Sequence, residues 1–300
     1  MRVATRGSAL ARWQTDHVIA LVRAAGGGDG SVEVEVVVVQ TEGDRRTDVP
    51  IEAIGGRGVF VKEVQAAVLE GRADFAVHSA KDLPSAPGLQ PAGLTIGCVP
   101  ERADPRDALV GCTLSDLPTG ALVATGSIRR RAQLANLRPD LSFAGLRGNI
   151  DTRLAKSKDF AAIVMAAAAL HRLDRSDVIA ETLEPDVLLP QVGQGALAIE
   201  CRSDADDVLS VLAAIEHPAS RRAVDAERAF LAELGGGCDL PVGAYAAVQA
   251  DGTLTIEGLV ASYDGRIALR QTVTGTDPPT VGAELAAALL DGAGARSLLA

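Results

Sequence analysis

Short β-branched or apolar runs alternate along this chain with longer stretches of helical periodicity, and that alternation restricts the fold more than any other feature. Val32–Val39 is followed by the helical pattern Val61–Glu70 and then by the apolar run Asp74–His78. Apolar residues at every second position suit one face of a strand, whereas a spacing of three to four suits one stripe of a helix. Elements in this order pack as α/β layers with a largely parallel sheet. The segment Val99-Pro100-Glu101-Arg102-Ala103-Asp104-Pro105-Arg106-Asp107 is polar and proline-containing, which predicts a crossover or hinge. Beyond it the alternation resumes with Asp107–Val110, Leu122–Thr125 and Ala161–Met165.

From about residue 218 the texture changes. Tyr245–Gln249, Leu254–Ala261 and Ile267–Val273 read as strands separated by Asp251-Gly252 and Asp264-Gly265 turns, with a helix over Val281–Leu290. A chain of 300 residues holds two or three domains at roughly 100–150 residues each. The expected division is residues 1–98 with 195–215, residues 103–190, and a small α+β domain over 218–300.

Both α/β regions contain a strand, a Gly-Ser turn and a helix. Val3-Ala4-Thr5-Arg6-Gly7-Ser8 precedes the helix Ala9–Ala24, and Val123-Ala124-Thr125-Gly126-Ser127 precedes Ile128–Leu137. Ser8 and Ser127 either cap these helices or, with the free N–H groups and dipole of the helix start, help to receive a carboxylate or phosphate. Two such turns from two domains, both beside arginines, suggest a cleft that holds an anion. Arg129, Arg130 and Arg131 cannot all face one ligand, because neighbours on a helix point about 100° apart. A second basic cluster spans Arg147 to Arg153. Arginine suits such a site through its planar, two-pronged match to a carboxylate.

The run Phe75–Pro84 ends an apolar strand with Lys81 and Asp82, the place where open α/β sheets put ligands. Asp82 is either a turn-capping residue or a carboxylate that offsets positive charge on a reacting group. Lys81 is either an ion-pair partner or a cation for a substrate carboxylate. Gly55–Lys62 lacks the order of a phosphate-binding loop and reads as a flexible entry to a helix, and Leu189–Gly195 reads as a hinge. Cys238 follows Gly235-Gly236-Gly237, which end the helical pattern Asp225–Leu234. Its thiol either packs as a small apolar group or, on a mobile turn, carries a covalent group.

Composition removes several classes. A formal net charge of −10 and a pI near 4.9 argue against a general nucleic-acid or acidic-membrane binder. The N-terminus lacks the apolar core of a signal peptide, so a soluble cytoplasmic protein is expected. Cys98, Cys112 and Cys201 lie in separate apolar stretches without metal-ligand spacing, which predicts reduced, buried thiols and no metal site.

Several segments, taken together and in order, resemble the porphobilinogen deaminase (hydroxymethylbilane synthase) family. They are Ala4–Gln14, Thr41–Asp44, Val61–Glu63, Val77–Pro84, Glu101–Leu109, Thr125–Leu134, Leu146–Leu154, Leu189–Arg202 and Ala226–Tyr245. The resemblance implies two domains like those of bilobal solute-binding proteins and a third bearing a cofactor cysteine. It implies a transferase that joins four porphobilinogen molecules head to tail, with loss of ammonia, on a dipyrromethane held by a thioether to Cys238. Matching family positions makes Asp82 catalytic, and makes Lys81, Asp82, Ser127, Arg129 and Arg130 cofactor contacts. Arg6, Ser8, Lys62, Arg147, Arg153 and Arg172 match substrate contacts. A cytoplasmic monomer of tetrapyrrole (haem) biosynthesis is expected. Arg57 stands where a lysine is usual, and the segment between Lys156 and Ile163 is short for the family. A non-catalytic anion binder on the same fold is the alternative, but it has no use for Asp82 or the Cys238 loop.

Overall fold

The computed structural model describes residues 1–26, 32–41, 61–86, 88–235 and 240–299. Cys238, Arg57 and the segment 42–44 lie outside the described residues. The chain divides into two compact units, Met1–Arg102 with Ala196–Arg221, and Ala103–Gly195 with Arg222–Ala300.

The first unit is a five-stranded sheet of β1 Arg2–Arg6, β2 Glu35–Val39, β3 Phe75–Ser79, β4 Leu94–Cys98 and, after the chain has passed through the second unit, β10 Leu197–Arg202. The strand order is β2-β1-β3-β10-β4. β1 runs parallel to β2 and β3, whereas β10 runs antiparallel to both β3 and β4. The period-2 pattern sorts side chains to two faces. Val3, Phe75 and Val77 join Val18, Ile19 and Val22 on one side, and Ala4, Ala76 and Val39 join Val64, Ala67 and Val68 on the other. Val18, Ile19 and Val22 come from α1 Ala9–Ala25, whose N-cap Ser8 accepts a hydrogen bond from Ala11 N at 3.3 Å. The opposite layer is α2 Lys62–Leu69.

The second unit repeats this plan with β5 Asp107–Val110, β6 Leu122–Ala124, β7 Ser142–Ala144, β8 Ala162–Ala166 and β9 Ile179–Leu183, in the order β7-β6-β8-β5-β9. β6 is parallel to its neighbours and β5 antiparallel to its own. Each sheet is therefore half parallel and half antiparallel, which corrects the expectation of a largely parallel sheet. The cause is one strand per unit, β10 or β5, that enters the sheet in the reverse direction. Helix α3 Ile128–Leu137 starts at Ser127, which accepts from Arg130 N at 3.4 Å; α4 Ile150–Lys156 and α5 Ala167–Arg172 follow.

The same unit contains an antiparallel sheet, β11 Val242–Val248, β12 Leu254–Ala261 and β13 Ala268–Gly275. The turns at Gly252 and Gly265 use positive φ, +83° and +78°, as the Asp-Gly pairs predict. Phe230 in the last part of the helix Pro218–Glu233 packs with Ile256, Leu285 and Leu289. Complete burial of that one ring stabilises the small domain by about 2–3 kcal/mol.

Of the three cysteines expected to be buried, Cys98 and Cys201 are, but Cys112 is half exposed. It stands beyond the end of β5, where the sheet no longer covers it.

Candidate functional site

In the first unit a depression opens at the C-terminal ends of β1 and β3, the edge at which the polar residues of both runs emerge. Arg6, Ser8, Gln14, His78, Ser79 and Asp82 line it, with apolar walls from Leu10, Val61, Val64 and Val77. Asp82 ends the single 3-10 turn Ala80–Asp82 that follows β3, and it is exposed. Its carboxylate makes no hydrogen bond or ion pair among the described residues, so its acceptors are available to a ligand. Ser79 is fixed by Gln14, whose Nε2 donates to Ser79 Oγ at 3.0 Å. His78 Nε2 faces Glu200 Oε2 at 3.4 Å, both residues being buried, while Glu200 Oε1 accepts from Gln65. Lys62 is exposed on the first turn of α2 and is not among the lining residues; Lys81 is half buried.

The second unit holds a smaller pocket lined by Ser127, Arg129, Gln191, Val192, Leu231, Leu240 and Val242. Arg129 and Arg130 are 3% and 6% exposed, and both converge on Asp107, the first residue of β5, which is wholly buried. Asp107 Oδ2 accepts from Arg129 Nη2 at 2.7 Å, and Oδ1 accepts from Arg130 Nη2 at 2.7 Å, Arg130 Nε at 3.0 Å and Gln194 Nε2 at 2.8 Å. Arg129 Nη1 reaches Leu189 O at 2.6 Å, and Arg130 Nη1 reaches Val164 O at 3.1 Å. Burial pushes the Asp107 carboxyl upward, but the two guanidiniums and their hydrogen bonds outweigh it and hold the group at about 2. For Arg129 burial prevails over the pull of Asp107 and lowers its pKa. Arg129 Nε is buried without an acceptor among the described residues, an unfilled donor beside the pocket that Ser127 shares.

The remaining basic residues are distributed around this unit. Arg131 is the solvated member of its run and donates to Tyr263 O at 2.9 Å. Arg147 is exposed, and Arg153 is half buried with Nε on Gly148 O at 2.8 Å. Arg172 is buried on α5 and donates to Gly195 O at 2.7 Å; burial lowers its pKa to about 10, which leaves it charged at neutral pH.

The sequence reading thus finds Arg6, Ser8 and Asp82 in one pocket and Ser127 with Arg129 in another. It places Arg130 behind Arg129 and leaves Lys62, Arg147, Arg153 and Arg172 outside both linings. It missed Asp107, Gln14 and Gln194. The only signal for Asp107 is an acidic residue at the head of an otherwise apolar strand. Burial, together with Glu216, holds the Cys98 thiol far above its usual range, and burial first, then Glu200, lifts Cys201 to about 11. Neither is a reactive thiolate near neutral pH.

The fold is that of an α/β protein with a strand, a serine-capped Gly-Ser turn and a helix in each unit, and a small α+β domain. Residues 1–210 match the family described as porphobilinogen deaminase, dipyromethane cofactor binding domain, and residues 222–291 match porphobilinogen deaminase, C-terminal domain. The porphobilinogen deaminase of Acidothermus cellulolyticus is 49% identical, covering 100% of this chain and 91% of its own. That of Nitratidesulfovibrio vulgaris (Miyazaki F) is 47% identical over 97% and 94%, and that of Bacillus subtilis 45% over 100% and 95%. A solved TRAP periplasmic solute binding protein from Desulfovibrio salexigens aligns loosely, at 14% identity and a TM-score of 0.42 over 72% of each chain. The chain belongs to the porphobilinogen deaminase family, whose members are transferases that polymerise porphobilinogen head to tail into hydroxymethylbilane.

Proposed function

We propose that this chain joins four porphobilinogen molecules into hydroxymethylbilane, releasing ammonia at each addition, with Cys238 as the thioether anchor of its dipyrromethane. The observation that carries the site assignment is Asp82, an accessible carboxylate without a partner among the described residues, in the same pocket as Arg6 and Ser8. Each substrate ring bears acetate and propionate groups, which the guanidinium of Arg6 and the hydroxyl of Ser8 are suited to bind. Asp82 accepts the pyrrole N–H and offsets the positive charge that develops on the ring as ammonia leaves. It is also the group placed to take up the proton lost when the new carbon–carbon bond forms.

The second pocket fits an acidic pyrrole cofactor, because Arg129 Nε is a buried donor with no acceptor among the described residues and Ser127 lies beside it. Ser127 and Arg129 would hold its carboxylates, and Arg130, Lys81 and Asp82 are assigned to the cofactor by family position. When bound, the dipyrromethane supplies the free α-carbon to which the first substrate unit is joined. Arg147, Arg153, Arg172 and Lys62 are assigned to the growing acidic chain by family position, and Arg147, as an exposed fork, is the best suited of these to meet incoming carboxylates. The free thiols Cys98, Cys112 and Cys201 support a reducing, cytoplasmic setting. The monomeric state is carried over from the resemblance.

Denaturing mass spectrometry tests the reading directly. Wild-type protein should exceed its sequence mass by one dipyrromethane, mapped to the Cys238 peptide, and Cys238→Ser should lack it and be inactive. An adduct on Cys98, Cys112 or Cys201, or an active mutant without any adduct, would overturn the proposal.

A further inference from the structure

We propose that Asp107 is the positioning residue for Arg129 and Arg130, and that it sets the charge this site offers to an acidic ligand. The inference rests on the reading of Ser127, Arg129 and Arg130 as ligand-binding residues.

Adjacent positions on a helix diverge by about 100°, so Arg129 and Arg130 have no intrinsic reason to bring their guanidiniums together. Asp107 supplies one, because Arg129 bonds Oδ2 and Arg130 bonds Oδ1. The carboxylate is itself fixed by Gln194, whose Nε2 also donates to Pro105 O at 2.7 Å. Without the carboxylate, two cations would lie side by side in a site closed to water, where repulsion is weakly screened.

Two guanidiniums and one carboxylate leave a net single positive charge on three side chains that are each more than nine-tenths buried. A buried unbalanced charge is costly unless a counter-charge arrives. Arg129 Nε, buried and without an acceptor among the described residues, marks where such a charge would dock beside Ser127. The cluster is therefore matched to one carboxylate of the ligand. A site with two cations and no Asp107 would favour more highly charged anions.

Asp107→Asn, Asp107→Glu and Arg129→Gln test this in the full-length chain, by cofactor content in denaturing mass spectra, turnover, and melting temperature with and without sulfate. In Asp107→Asn an amide N–H₂ replaces one acceptor and faces a guanidinium. Cofactor content should fall well below wild type and turnover by on the order of 10²-fold. Sulfate should raise the melting temperature of Asp107→Asn far more than that of wild type, a response that simple loss of packing would not give. Asp107→Glu keeps the charge but moves it by a methylene; its sulfate response should match wild type while turnover falls roughly tenfold or more. Should Asp107→Asn fail to fold, Asp107→Glu carries the test. Wild-type loading and turnover in the folded Asn variant, or in the Glu variant, would overturn the proposal, as would equal sulfate responses in Asp107→Asn and wild type. If Arg129→Gln loads cofactor normally, it is the reading of the site that fails; if Arg129→Gln does not load but Asp107→Asn does, Asp107 alone is misassigned.

Discussion

Replacing Gly195 by alanine should destabilise the second unit by about 2.5–5 kcal/mol, the sum of the two terms that follow. Gly195 has φ +84°, and a Cβ built there would collide with the carbonyl oxygen of Ala103 and lie 2.8 Å from that of Asp104. The left-handed conformation alone costs an L-residue about 1–2 kcal/mol. Relief of the collision must shift backbone, because both opposing atoms are main chain. The Gly195 carbonyl accepts from Ala103 N at 3.2 Å and from the buried Arg172 Nη2 at 2.7 Å. Weakening a hydrogen bond to a buried charge adds about 1.5–3 kcal/mol. At a urea m-value of about 1–3 kcal/mol/M, the unfolding midpoint of this unit should fall by roughly 1–5 M. Circular dichroism against urea measures it. A fall of less than about 0.3 M would refute the reasoning. Gly195→Asn separates the two terms: asparagine tolerates positive φ but still brings a Cβ, so it should be nearly as damaging as alanine. Recovery with asparagine would show that backbone conformation, and not the collision, is what matters.

Asp82→Asn should leave the urea midpoint unchanged, since the side chain is exposed and has no partner among the described residues, while turnover falls by about 10²–10³-fold; a loss below tenfold would return Asp82 to the role of a turn residue. Acid should act through Asp107. Its folded pKa of about 2 lies below the unfolded value of ~3.9. Its contribution is therefore present above pH ~4 and lost as the pH falls through 2, an amount on the order of 2–3 kcal/mol. The stability gap between wild type and Asp107→Asn should narrow over that window, and a gap independent of pH would contradict the assignment.

Local pattern carried much of the fold. The helix Ile128–Leu137 and the strands Asp107–Val110 and Leu254–Ala261 fall where capping, periodicity and turn residues place them. Val32–Val34, although β-branched in part, lie outside β2, because pairing with β1 begins at Arg2 opposite Glu35. Strand direction was not legible: an apolar run such as Leu197–Ile199 has the same alternation whichever way it enters a sheet, so the antiparallel half of each sheet was missed. At the sites, Ser8, Arg6 and Asp82 stand at strand ends, where a polar residue after an apolar run is conspicuous. Asp107 was not conspicuous. Its meaning depends on Arg129, Arg130 and Gln194, which lie far away in sequence and meet it only after folding. The same holds for Gln14, which reads as one polar residue of a helix until Ser79 is beside it.

The placement of β10 also fixes an order of events on the ribosome. Residues 197–202 separate β3 from β4 in the first sheet, so that sheet cannot be completed before about two-thirds of the chain has been made. The second sheet draws only on residues 107–183. In vectorial synthesis the sheet encoded later is thus the first to have all its strands, while β3 and β4 wait with unpaired edges. Such edges are what chaperones cover and what aggregation exploits. Substitutions in Leu197–Arg202 should therefore cost soluble yield in the cell beyond their effect on the stability of the finished protein.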